Sequence, residues 1–240
     1  MKSALIRITA YLCIFVVILL ICPAGISQPA QASVSSIQGP SFDGDANSMA
    51  NPYILFQDDF NDNNADGWTT YGIGTWTVNN GEYKVDMGSG SFLLGYSSAG
   101  DVNWTDYIFE VDVKADLGEN KAIYFRDNGV ASYFVNIVGG YPYDHVLLGK
   151  NPDILFNDFY YPNTTGIWYH VKVIIISTNI KVYLNDQLLI NYTASGSNLI
   201  TQGRISLVGW TGAGLSDVVR FDNVVVRGFR PTFLPMIIRQ

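Results

Sequence analysis

Residues 168–192 read WYHVKVIIISTNIKVYLNDQLLINY. At period two, Tyr169, Val171, Val173 and Ile175 share one face, and His170, Lys172 and Ile174 share the other. After Ser177-Thr178-Asn179, Ile180, Val182 and Leu184 line one side while Lys181 and Tyr183 take the opposite one. Asn185-Asp186 then turns the chain, and Leu188 and Ile190 alternate with Leu189 and Asn191. β-Branched and aromatic residues alternating in this way, cut by residues that tolerate left-handed backbone, predict a three-strand antiparallel meander. Helical spacing would scatter the same apolar positions around the whole circumference, so no helix fits.

The rest of the chain agrees with that start. Its 240 residues suit one sizeable domain with extensions, and 14% aromatics, 23 glycines and 15% charged residues suit an all-β protein with many turns. Lys2 and Arg7, the apolar run 10–22 and Ala30-Gln31-Ala32 have the order of a secretory signal peptide over 1–32, cut before Ser33. A membrane anchor is the alternative, but the run falls short of the roughly 18–20 residues a span requires. Both cysteines, Cys13 and Cys22, lie in that segment, so the expected mature chain has no disulfide and no thiolate site. Without Lys2 and Arg7 the 14 basic residues become 12, against 21 acidic ones, a net charge of −9. Such a surface repels nucleic acid and anionic lipid.

Residues 33–52 are rich in Ser, Gly, Ala and Pro and read as a flexible leader. From Tyr53 onward short strands are expected at 53–56, 76–78, 82–85, 91–96, 107–115, 122–126, 132–137, 145–150, 153–160, 204–208 and 218–226, besides the meander. The turn Asn79-Asn80-Gly81 is a strong hairpin signal. About a dozen strands with no convincing helix predict a two-sheet antiparallel β-sandwich over 53–229. The tail 230–240, with its apolar FLPMII, is too short to span a bilayer.

Six pieces, FQDDFNDNNADGW, GTWTVNNGEY, YIFEVDVKA, AIYFRDNG, WYHVKVIIISTNIKVYLND and RFDNVVV, come in an order that resembles the concanavalin A-like (laminin G-like) jelly-roll superfamily of secreted bacterial proteins. The resemblance implies that the first and last strands neighbour one another, bringing Asp59 near Asp222. It also raises catalysis, because some members are glycoside hydrolases with three acids spaced E-x-D-x-(x)-E on one strand. Here Glu110 and Asp112 match the first two, but Lys114 and Ala115 stand where the third acid belongs. Retention requires two carboxyls about 5–5.5 Å apart, one of them able to protonate the leaving oxygen. Outward polar residues on a half-buried strand explain Glu110, Asp112 and Lys114 equally well.

Two other chemistries are expected from the residues. Asp62-Asn63-Asn64-Ala65-Asp66-Gly67 matches the first half of a calcium loop, although its twelfth position is Ile73 in place of a bidentate Glu. A structural calcium is therefore placed at Asp62, Asn64 and Asp66, or between Asp59 and Asp222, with an Asx turn as the alternative. Sugars stack their apolar faces on aromatic rings, so Tyr141, Tyr143, Tyr160 and Tyr161, with Arg126, Asp127 and Asn128, form a candidate glycan surface. Trp68, Trp76 and Trp168 are expected in the core. The resulting expectation is a secreted or cell-surface, non-catalytic binding or adhesion module for glycan or cell-envelope material. The rivals are a glycoside hydrolase-like enzyme of the same fold and a purely structural surface domain.

Overall fold

The computed structural model describes residues 52–139, 144–151, 154–212 and 214–229, with the backbone alone over 154–158. The expected signal peptide, most of the leader, the tail, and Tyr141 and Tyr143 lie outside these residues. The described residues form fifteen strands: β1 (Tyr53–Asp58), β2 (Thr69–Gly72), β3 (Thr75–Asn79), β4 (Glu82–Gly90), β5 (Leu94–Ala99), β6 (Tyr107–Leu117), β7 (Lys121–Asp127), β8 (Ser132–Val138), β9 (His145–Asn151), β10 (Ile154–Tyr160), β11 (Tyr169–Ile176), β12 (Asn179–Leu184), β13 (Gln187–Thr193), β14 (Arg204–Trp210) and β15 (Leu215–Gly228). The described residues contain no α-helix, only a single 3-10 turn at Gly196–Asn198. One sheet runs β13-β12-β11-β6-β15-β4-β3, with β1 also on β15, and the other runs β10-β9-β8-β7-β14-β5-β2. This is the expected antiparallel β-sandwich of jelly-roll type.

The meander forms as its sequence implies. Val171, Val173, Ile175, Ile180, Val182 and Leu184 are all buried, while Lys172 and Lys181 face outward. Asn185 and Asp186 both take positive φ, 48° and 64°, which is the primed turn that matches strand twist. Asn80 and Gly81 do the same between β3 and β4. One expectation fails: Leu188 is exposed while Ile190 is buried, because β12 and β13 slip register between Val182 and Tyr183. A bulge of that kind moves one residue off the alternation.

β15 is the spine of the eight-stranded sheet. One edge pairs with β6, and the other pairs first with β4, up to Phe221↔Tyr83, and then with β1, from Val224↔Asp58. Between those partners a bulge sets Asn223 at φ 51°. The inner faces of both sheets share one apolar core, crossed by a hydrogen bond between Tyr83 Oη and Ser97 Oγ at 2.9 Å.

At one end of the sandwich Lys121 is buried, with Nζ donating to Asn163 Oδ1 and to Glu119 O at 3.3 Å, beneath the Tyr169 ring. Burial pulls its pKa down to about 8, against the raising effect of Glu119, Asp217 and Asp144. A buried amine that sheds its proton near pH 8 while the unfolded chain keeps it destabilises the fold at neutral pH. That cost fades as pH rises from about 8 toward the unfolded value of about 10.5. Urea titrations at pH 7.5 and 9.5 should therefore show a Lys121-dependent gain in stability, absent from Lys121→Met.

Candidate functional site

The outer face of the seven-stranded sheet carries the candidate site. Alternation points Tyr96 and Ser98 of β5, Tyr124 of β7, Phe134 of β8, and Arg204 and Ser206 of β14 to this side, with Tyr71 of β2 beside Tyr96. Tyr71 and Tyr96 stack at 4.9 Å and 10°, Tyr96 meets Tyr124 edge-on at 5.6 Å, and Tyr124 leans on Phe134 at 5.7 Å. Tyr71 keeps 42% of its surface exposed. Together with Asp127, Arg204, Asn151 and the loop at 129–131 these tyrosines line a pocket of about 320 Å³.

Asp127 is the polar centre of that pocket. Its Oδ1 accepts from Gly129 N at 2.9 Å, and its Oδ2 accepts from Ser206 Oγ at 3.1 Å and Tyr71 Oη at 3.4 Å. Ser98 Oγ closes the network, its one proton shared between Tyr71 Oη at 3.1 Å and Ser206 Oγ at 2.7 Å. Arg204 Nε lies 3.5 Å from Asp127 Oδ2.

Asp127 reaches this face because of a bulge. Two β7 residues, Phe125 and Arg126, stand opposite the single β14 residue Ile205, and Arg126 takes φ 47°. Arg126 is thereby turned inward, 1% exposed, so it does not face a ligand as the sequence implied. Its Nε donates to Thr105 O at 3.0 Å, Nη1 to Ile200 O at 2.7 Å, and Nη2 to Asp106 Oδ1 at 3.2 Å. Asn128 is exposed beside the pocket, where its Oδ1 accepts from Val130 N and Ala131 N to hold the loop.

The remaining expected aromatics are not brought to this point. Tyr160 is exposed but pairs with His145, six residues along β9 from Asn151, or about 20 Å at strand rise. Tyr161 packs on the core, its ring edge-on to Tyr169 at 6.4 Å. Trp68 and Trp76 also pack against the core, whereas Trp168 is half-buried and carries Lys114 Nζ 4.6 Å above its ring. Tyr71, Tyr96, Tyr124 and Arg204 were missed because each sits in a different strand. Only the pairing register makes them neighbours.

The outer face of the other sheet carries Glu110, Asp112 and Lys114. His170 of β11 joins them, its Nδ1 2.7 Å from Asp112 Oδ1 and its Nε2 3.9 Å from Glu110 Oε1. Arg227 pairs with Glu110, and Asn223 Nδ2 donates to Asp112 Oδ2 at 2.9 Å. Lys114, at the third-acid position, lies 3.9 Å from Glu82 and 3.7 Å from Asp116.

The acidic opening spends its side chains locally. Asp59 Oδ1 accepts from Asn61 N, Asp62 Oδ1 from Asn64 N, and Asn64 Oδ1 from Asp66 N. Asp59 and Asp222 are near enough to interact: burial first, and then Asp112, Glu82 and Asp59, push Asp222 up against the hydrogen bond from Asn223 N. Among the described residues no three His, Cys, Asp or Glu side chains form a group that could hold a metal ion. No helix among them is long and apolar enough to cross a membrane.

Residues 55–227 match the model of the 3-keto-alpha-glucoside-1,2-lyase-like domain. No curated protein matches the chain. Among solved structures it is similar to the carbohydrate-binding module CBM66 from Bacillus subtilis, at 24% identity and TM-score 0.54, covering 69% of this chain and 98% of that one. It is also similar to the catalytic domain of an endo-1,3-beta-glucanase (laminarinase) from Thermotoga petrophila RKU-1, at 10% identity and TM-score 0.56, covering 75% and 99%. A third is a Crh5 transglycosylase in complex with NAG, at 12% identity and TM-score 0.60, covering 76% and 89%. At these identities the likeness is one of fold, and with the family match it places the chain in the concanavalin A-like jelly-roll superfamily.

Proposed function

The chain belongs to the 3-keto-alpha-glucoside-1,2-lyase-like domain family, and from that premise we propose that it is a secreted glycan-binding or adhesion module. Its binding face is the outer side of the seven-stranded sheet. The observation that carries this reading is the stacked Tyr71–Tyr96 pair beside Tyr124, with Tyr71 exposed, over a pocket whose polar centre is prebuilt. Aromatic faces hold the apolar side of a pyranose, and fixed polar groups orient it. A fold neighbour that is a carbohydrate-binding module supports the same reading.

The pocket chemistry favours binding over hydrolysis. Asp127 is its only carboxylate among the described residues, and three donors already hold it. Glycoside hydrolysis requires a second carboxyl across the scissile bond. Tyr96→Ala and Tyr71→Ala should each weaken binding to the best polysaccharide found on a glycan array by about 2- to 10-fold, with melting midpoints close to wild type. Binding nowhere on the array, or equal binding by both variants, would sink the proposal.

A second, catalytic reading has one observation in its favour. His170 sits between Asp112 and Glu110, a geometry in which a carboxylate orients an imidazole for proton transfer. The family description names 3-keto-glucosides, so the discriminating assay is product release from a 3-keto-disaccharide. Turnover lost in both Asp112→Asn and His170→Ala would establish catalysis on that sheet; no turnover by wild type leaves the binding reading.

Calcium at the acidic opening is a separate proposal, resting on the Asp62–Gly67 pattern and on the nearness of Asp59 to Asp222. A melting midpoint raised by calcium and reversed by chelator is its expected mark, and an unchanged midpoint removes it.

A further inference from the structure

We propose that the tyrosine-lined pocket selects saccharide units that carry a carboxylate, and that Arg204 is the residue that reads it. This rests on the glycan-binding reading and deepens it to a substrate class.

Arg204 opens β14 directly opposite Asp127 in register and lines the pocket with its side chain about 30% exposed. Among the described residues its one partner is Asp127, at 3.5 Å from Nε, and that buried nitrogen makes no hydrogen bond. That nitrogen is closed to a ligand, so what the pocket presents is the exposed end of the guanidinium.

Asp127 is itself already occupied. Gly129 N, Ser206 Oγ and Tyr71 Oη already donate to it, and it is only 7% exposed. Its negative charge holds the guanidinium in place while the planar fork of N–H groups keeps donors to offer. A guanidinium presents parallel donors at the spacing of a carboxylate's two oxygens, and a charge-assisted pair is about twice as strong as a bond to a neutral hydroxyl.

Position completes the argument. Tyr71 Oη and Arg204 Nε touch the same oxygen of Asp127, at 3.4 and 3.5 Å. The group that holds a sugar ring and the group that offers an anion site therefore flank one atom. A hexuronate has this shape: an apolar ring face for the tyrosines and a carboxylate at the ring's edge. The chain's net charge of −7 gives no long-range attraction for a polyanion, so discrimination comes from this local contact.

The test is calorimetric titration of the full chain with oligogalacturonate, oligoglucuronate and alginate oligomers, each beside its carboxyl-reduced neutral counterpart of equal length. The expected result is binding of at least one acidic oligomer, weakened about tenfold or more on carboxyl reduction. Arg204→Met should bind the acidic form no better than wild type binds the neutral one. Arg204→Lys, which keeps the charge without the fork, should fall between. If Arg204→Met fails to fold, Arg204→Lys and the acid-to-neutral ratio of the wild type carry the test. Neutral oligomers bound as tightly as acidic ones, or acidic binding unchanged in a folded Arg204→Met, overturns the carboxylate inference and leaves glycan binding standing. No binding of any oligomer, acidic or neutral, overturns both.

Discussion

The bulge in β7 is the constraint on which the site depends. An L-residue with a large side chain at φ 47° carries strain of order 1–3 kcal/mol. It persists because Arg126 is over-determined: its guanidinium donates to Thr105 O, Ile200 O and Asp106, while its backbone N donates to Tyr107 Oη at 2.7 Å. Gly203 packs so closely on this point that a Cβ there would lie 2.2 Å from the Arg126 carbonyl carbon. The left-handed residue and the clamp around it are one device. Its product is a phase shift that delivers Asp127 to the outer face beside Ser206 and Arg204.

The same device recurs in β15, where two residues again stand against one. There the extra residue coincides with the hand-over from β4 to β1 along one edge, so a single strand of 14 residues supports both neighbours. Asn is a residue that tolerates positive φ, and Asn223 uses the position to put its amide on Asp112. In both strands the irregular residue ties backbone strain to a side-chain bond from the neighbouring elements.

What could be read from residues alone was whatever depends on alternation and turns. The inward set of β6, Phe109, Val111, Val113 and Ala115, is wholly buried, and the Asn-Gly and Asn-Asp turns fall where left-handed backbone was expected. Bulges were not legible, since nothing in YFRDNG says that Arg126 counts with Phe125 on the inner side. The cross-strand partners were equally hidden: Asp112 and His170 are 58 positions apart, and only the β6–β11 register joins them. The pocket draws on β2, β5, β7, β8, β9 and β14, which no spacing in the chain connects. Most of the glycan candidates that sequence reading did find came in short contiguous runs, such as 126–128 and 160–161, because contiguity is the kind of nearness a sequence displays most directly.

The two outer faces differ in a way that bears on which of them meets a ligand. On the eight-stranded sheet Glu82, Asp116, Lys114 and Arg220 pair among themselves, as do Glu110, Arg227, His170 and Asp112. Such a ladder is already satisfied by its own members, and a neutral ligand would have to break contacts to gain any. On the seven-stranded sheet the polar groups beneath the tyrosines are satisfied by one another, while Tyr71 stays 42% exposed and the Arg204 side chain 30% exposed above them. Stacking on Tyr71 and charge-assisted bonding to Arg204 are the interactions this face can still offer a ligand. A ligand that supplies both gains there without displacing anything, which is why the aromatic sheet and not the charged one is the face we propose for binding.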